Sequence, residues 1–442
     1  MSKTSVANWG NFPIIEADKI SFTTVTELCD LAQSKSTCIA RGNGACYGDA
    51  SLGSTIISTL KFDNIIEFDE VNGVLSCQSG VTFDALLRFL IPKGWFLPVT
   101  PGTKFITLGG AVASDIHGKN HHVEGTFGKH ILNMEILLAS GAVVNCGPDE
   151  EVDLFEATCG GMGLTGVILS VKFRVKKIES AYINQVSIKA ENLDEIFELF
   201  EKYKDTTYSV AWIDCLQGGS SLGRSLLMVG EHATAVDAKV KNPLQLVGHE
   251  QKLSIPFNFP NFVLNKYSIK LFNFLFYHKQ FKKITRSVVT FDKFFYPLDF
   301  IKKWNRMYGN RGFVQYQFVL PIENSKAGLY KILDEINRQG MGSFLAVLKL
   351  FGESDGLISF PMKGYTLALD FPIRDGLFEF LDELDKIVLQ YGGRIYLTKD
   401  ARMKKEVFWQ SYPNAEKFKT IIKKYNPDFK WKSLQSDRLQ IS

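Results

Sequence analysis

Three glycine-rich stretches and one knot of basic residues carry the chemistry this 442-residue sequence could do. The first stretch is Arg41-Gly42-Asn43-Gly44-Ala45-Cys46-Tyr47-Gly48-Asp49, directly after the β-type run 37–40. Glycines behind a strand let backbone N–H groups turn toward a phosphate, because no Cβ blocks the approach. A plain turn explains this stretch equally well. Its spacing is neither GxGxxG opening a helix nor GxxxxGK[ST], so the Rossmann and P-loop fingerprints do not apply. The second stretch is Pro101-Gly102-Thr103, followed by 107–116, where small residues dominate and include Gly109, Gly110 and Ser114. It ends in His117-Gly118-Lys119-Asn120-His121-His122. Small side chains let a flat ring and a pyrophosphate lie on the backbone, and the polar cluster then faces whatever sits above the ring. Three histidines could also suggest a metal. However, His121 and His122 are adjacent and no Asp or Glu completes a ligand spacing, so no metal is assigned. The third stretch, Cys159-Gly160-Gly161-Met162-Gly163-Leu164-Thr165-Gly166-Val167-Ile168, runs straight into a strand and alone could be a hairpin.

These loops need a scaffold. Residues 14–180 alternate β-type runs (65–69, 73–78, 131–138, 142–146, 167–175) with helical patterns at 26–34, 82–91 and 153–159. In the second of these, Phe83, Leu86, Leu87 and Leu90 recur at helical spacing. From about Ile183 the character changes to strands at 208–215, 225–230, 312–320, 344–351 and 364–371, with amphipathic helices at 193–203, 327–338 and 376–391. An antiparallel sheet with helices over one face satisfies that pattern. The stretch 256–287 stands apart, with about ten aromatics among Lys and Arg. It reads either as a core-packing helix with a solvated basic end or as an amphipathic lid touching a membrane surface.

Bulk properties set the bounds. The chain is long enough for two domains, and 45% hydrophobic with 22% charged residues is ordinary for a globular protein. A net charge of +4 without a basic stripe argues against nucleic acid. The cysteines (29, 38, 46, 77, 146, 159, 215) are odd in number, scattered and free of CxxC pairs, which favours a reducing compartment. No signal peptide or membrane span is read, so a cytoplasmic location is expected.

Taken in order and spacing, the three glycine stretches resemble the FAD-binding fold of the vanillyl-alcohol oxidase and p-cresol methylhydroxylase (PCMH) superfamily. Within it, the sequence is most similar to the decaprenylphosphoryl-ribose 2-oxidases, flavin subunits of the epimerase that makes the arabinose donor of mycobacterial cell walls. The matching segments are 109–122, 160–167, 311–321, 348–352, Asp370-Phe371-Pro372 and 392–400, and they cover almost the whole chain. The resemblance implies an α+β, two-domain, PCMH-type fold. It places an FAD-binding domain at 1–178 completed by 394–442, and a substrate domain with an antiparallel sheet flanked by helices at 179–393.

It further implies which side chains act. Expected to line FAD are Arg41, Gly42, Asn43, Gly44, Ala45, Cys46, Tyr47, Gly48, Gly102, Thr103, Gly109, Gly110, Ser114, His117, Gly118, Gly160, Gly163, Gly166, Ile168 and Tyr396. No His lies in 40–49, so the flavin is expected to be held non-covalently, with a Cys46 thioether as the alternative. Expected on the substrate side are Lys119, Trp212, Gln315, Gln317, Lys349 and Lys399, with Lys399, Tyr47 and His117 nearest the chemistry. Gln and Tyr can fix a sugar ring, and Lys suits a phosphate. A snorkelling edge lysine is the rival reading for Lys349, and an ion pair with Asp400 is the rival for Lys399. Ala368 stands where the mycobacterial pattern has a reactive Cys. The implied activity is oxidation of a secondary hydroxyl of a sugar, the 2-hydroxyl of a polyprenyl-phosphate ribose. An NAD(P)H-dependent keto-reductase would complete the epimerisation. The alternatives are oxidation of a soluble aldonolactone or alditol, or a flavin scaffold without turnover. Peripheral contact with the inner membrane face through 256–287 is also expected.

Overall fold

Why the first half folds as it does is visible at its helix starts. Thr24, Thr82 and Thr107 each sit in extended backbone and accept a hydrogen bond from the amide three residues on, which caps the helices Val25–Ser34, Phe83–Leu90 and Leu108–Ala113. Phe83, Leu86, Leu87 and Leu90 are all buried, as their spacing predicts. The computed structural model describes residues 3–246, 251, 253–260 and 262–442. The first half forms a four-stranded sheet (4–6, 15–21, 55–58, 39–41) and a five-stranded antiparallel sheet (65–69, 74–78, 167–174, 131–137, 143–146).

An eight-stranded, wholly antiparallel sheet builds the second half, in the order 284–290, 182–190, 225–232, 208–213, 346–351, 364–372, 313–321, 394–395. Helices Leu193–Lys202, Ile322–Gln339 and Leu377–Gln390 cover one face. Tyr316 donates to Asp385 of the last of them, and Tyr365 packs its ring on Phe197 and Phe200 of the first. Alternation along the strands therefore turns Gln315, Gln317, Thr366, Ala368 and Asp370 to the other face, toward the glycine loops. The chain end returns to the first half: Cys38 bridges Trp431, Asn426 donates to the carbonyl of Leu164, and Arg438 grips Asp49.

The stretch 256–287 is neither a single helix nor a plain core element. It holds the helix Lys266–His278 and then the start of an edge strand, Ile284–Thr290; Asn261 lies outside the described residues. The helix buries only Ile269, Asn273 and Tyr277, and Asn273 donates to Asp214 at 2.8 Å. Among the described residues, no helix is long and apolar enough to cross a membrane.

Candidate active site

The glycines divide by what a Cβ would meet. At Gly48, Gly109, Gly118, Gly160 and Gly166 it would strike neighbouring atoms of Asp400, Ser79, Asn120, Ser359 and Leu137, so these five close the loops tightly onto the fold. At Gly44 it would hit Arg41, whose guanidinium is anchored to Asn8 and the carbonyl of Ala7, and at Gly42 it would hit Thr107. Gly102, by contrast, meets nothing within 4 Å, while Gly110 and Gly163 meet one atom each, at 3.1 and 3.6 Å. Gly102 and Gly163 open onto space, while Gly110 is held close to the Thr107 hydroxyl. Among the described residues, the amides of Gly42 to Cys46 and of Gly102 and Thr103 find no acceptor within the protein, and the buried Ser79 hydroxyl is also unpartnered. Unfilled donors along small-residue backbone fit a dinucleotide pyrophosphate. The Cys46 thiol is turned to Ser51 Oγ at 3.3 Å, and burial raises its pKa. Asn43 is exposed and donates to the carbonyl of Phe105, while Ala45 and Ser114 are half-buried and Ile168 is buried in the core.

Opposite these loops the sheet presents its polar face. Gln317 Nε2 lies 3.2 Å from His117 Nε2 and 3.2 Å from Thr366 Oγ1. With its Nε2 accepting from the amide, His117 carries its proton on Nδ1, a buried atom without a partner. Burial, then Lys349, keeps this imidazole well below the ordinary pKa and so neutral. Tyr396 stacks on Phe360 at 4.4 Å, donates to the carbonyl of Ser114, and sits 5.2 Å from the His117 ring. Lys349 faces the same space from the strand Ala346–Phe351, across from Thr366. Neither Lys349 nor Lys399 has an ion-pair partner among the described residues. Burial pushes each down to about 8. Lys399 Nζ lies 4.0 Å from the centre of the Tyr47 ring. Asp400 does not pair with it; that carboxylate is taken by Arg438 at 2.8 Å and by the amides of Arg402 and Met403. Tyr47 is buried and its hydroxyl lies 3.4 Å from Gln315 Nε2, within an aromatic group that includes Trp304, Tyr308 and Phe313.

Two expected substrate contacts sit differently. Trp212 lies in the same cross-strand row as Gln317, Ala368 and Val347, but three strands away, roughly 14 Å at the usual strand spacing. Its Nε1 donates to the carbonyl of Phe344 and its ring meets Phe276 at 4.7 Å, so it supports the helix Lys266–His278 instead of touching the polar cluster. The Lys119 ammonium is half-buried, donates to the carbonyl of Phe294 and lies 4.4 Å from the Phe294 ring centre; burial brings it down to about 7. Sequence reasoning missed Asp370 and Tyr308, which tie Gln315 into the fold. A carboxylate between Leu369 and Phe371 is the same kind of signal that marked Lys349.

The arrangement gives a polar face of ammonium groups, amides and a neutral imidazole, opposite loops suited to a dinucleotide. Comparison with known proteins agrees. The family described as FAD binding domain matches residues 22–147. Decaprenylphosphoryl-β-D-ribose oxidase of Mycolicibacterium smegmatis is 38% identical over 91% of this chain and 89% of its own. An uncharacterised protein of Streptomyces coelicolor is 31% identical over 78% of this chain and 96% of its own. A putative D-arabinono-1,4-lactone oxidase of Neurospora crassa is 27% identical over 36% of this chain and 27% of its own. The chain is therefore an FAD-dependent oxidoreductase, and it belongs to the family that includes the mycobacterial decaprenylphosphoryl-β-D-ribose oxidase.

Proposed function

We propose that this enzyme oxidises the 2-hydroxyl of a polyprenyl-phosphate ribose-like sugar to the ketone, using FAD held without a covalent link. The observation that carries the reading is a pair of lysines without ion-pair partners among the described residues: Lys349 on the sheet face of Gln315 and Gln317, and Lys399, from the turn after the last strand, over the Tyr47 ring. A scaffold protein would gain nothing from that costly juxtaposition. Bound FAD supplies the hydride acceptor. As the carbinol C–H electron pair leaves as hydride, the O–H proton passes to the neutral amine of Lys399 and a C=O bond forms. Gln315 and Gln317 fix the sugar hydroxyls, Lys349 attracts the phosphate, and His117 positions the ring through its Nδ1–H. On this reading the FAD-binding body is 1–178 completed by 394–442, and 179–393 holds the substrate.

The Cys46 thiol, turned to Ser51, favours non-covalent FAD. Acid precipitation should release the yellow chromophore into solution. Anaerobic addition of a polyprenyl-phosphate ribose should bleach the flavin absorbance. Bleaching by free polyols alone would favour the aldonolactone or alditol alternative. The keto-sugar then requires an NAD(P)H-dependent reductase. Phe262, Tyr267, Leu271 and Phe281 are exposed among Lys266, Lys270, Lys282 and Arg286, a combination that suits peripheral contact with an anionic bilayer on the cytoplasmic side. Co-sedimentation with anionic but not zwitterionic vesicles tests that contact.

A further inference from the structure

Asp370 lies buried between Leu369 and Phe371 in the strand Gly364–Pro372, and its two oxygens have separate fixed partners. Oδ1 accepts from Gln315 Nε2 at 2.6 Å and Oδ2 accepts from the Tyr308 hydroxyl at 3.1 Å. Its own amide donates to Ser343 Oγ at 3.0 Å. Tyr308 cannot swing away easily, because its ring stacks on Phe313 at 4.1 Å with only 8° between planes. From Gln315 Nε2 the contacts continue to the Tyr47 hydroxyl at 3.4 Å, and the Tyr47 ring carries Lys399. A chain of four side chains thus runs from the middle of the sheet to the first glycine loop.

We propose that Asp370 is a positioning residue for the oxidation: it fixes the Gln315 amide, and through that amide the Tyr47 hydroxyl, whose ring carries Lys399. When ionised, the Asp370 carboxylate can only accept, so it then holds the N–H end of the Gln315 amide toward itself. Both N–H groups of Gln315 are then turned into the protein, toward Asp370 and Tyr47, leaving Oε1 to accept from a substrate hydroxyl. The charged and titratable neighbours are few. Asp370 faces Tyr308, Tyr47 and Lys399; Lys399 faces Asp370, Lys349, the Cys46 thiol, Tyr47 and His117. Burial and Lys349 favour the neutral amine, and Asp370 opposes them. Asp370 itself is lifted to about 7 by burial, against Gln315, Lys399 and Tyr308.

This inference rests on the reading of Lys399 as the proton acceptor, so its test includes a measurement that needs no substrate. Acylation of Lys399 by acetic anhydride, followed by mass spectrometry across pH in the FAD-loaded enzyme, reports its titration. Asp370→Asn should move the midpoint down by on the order of one pH unit, the usual effect of removing a nearby opposite charge. Lys349→Met should move it up. The KM for the sugar should rise about tenfold in Asp370→Asn, as expected when a hydrogen-bonding group loses its orientation. Asp370→Ser, made in parallel, keeps the test open should the Asn variant not fold. An unchanged or rising midpoint in the Asp370 variants, or an unchanged KM, overturns the proposal. Failure of the wild-type enzyme to bleach with any sugar would instead strike the substrate assignment, with the Lys399 titration still readable.

Discussion

Replacing Lys399 by Met should remove the proton acceptor while leaving cofactor and fold in place. Lys399 is held near 8, mainly by burial and secondarily by Lys349, with Asp370 opposing. At pH 7 about one molecule in ten then carries the neutral amine, so the wild-type rate of flavin reduction should climb roughly tenfold toward pH 9 and level off. Loss of a positioned base costs about 10² to 10⁴ in rate, and the variant should lose the pH dependence together with the rate. Stability should not fall. The folded-state pKa lies below the ordinary lysine value of 10.5. The native state therefore holds this proton less firmly than the unfolded chain, so the cost to folding grows as pH falls from 10.5 to about 8 and is fully present below that. Methionine removes that cost and can lie on the Tyr47 ring. The assay is anaerobic stopped-flow reduction of the bound flavin across pH, with thermal melting alongside. A Lys399→Met enzyme that reduces within threefold of wild type, or a wild-type profile that is flat through pH 8, would refute the reasoning.

Three further outcomes follow from particular contacts. Gly102→Leu places a side chain in open space, with nothing within 4 Å of its Cβ, so it should fold normally yet bind little FAD, whereas Gly48→Ala drives a Cβ within 1.9 Å of the Asp400 carbonyl and should lower stability. The ratio of flavin to protein absorbance and a urea titration separate the two effects. Arg438→Ala strands the buried carboxylates of Asp49 and Asp400 and should cost about 3–5 kcal/mol in urea unfolding. Ala368→Cys installs a thiol between Gln317 and Val347 on the polar face, where thiol-directed inhibitors should label it while the wild-type enzyme resists.

How much was legible depends on whether a local signal was enough. The glycine stretches could be read because backbone approach to a phosphate demands small residues in sequence. The helix over 83–90 could be read because burial of one stripe imposes a 3.6-residue period. Lys349 was legible as a charge inside an apolar strand, and Asp370 carried the same mark without being recognised. The stretch 256–287 stayed open between two readings because its helix buries a stripe containing a polar Asn273, held by Asp214, and leaves large apolar residues outside. Periodicity cannot report a helix whose contacts are partly polar and whose apolar residues face outward.

By its residues alone, the sequence pointed to close backbone approach at three glycine stretches and to an antiparallel sheet with helices in the second half, and the family resemblance added the FAD cradle and the basic and amide side chains expected at the site. Only tertiary structure decided which of them meet. Cross-strand register put Gln315 opposite Asp370 and left Trp212 three strands from Gln317. Arg438, 38 positions beyond Asp400, took that carboxylate and left Lys399 without an ion pair. Local propensity acts over a few residues, whereas pairings between strands and between distant charges are settled when the whole core closes and each buried group must find its partner.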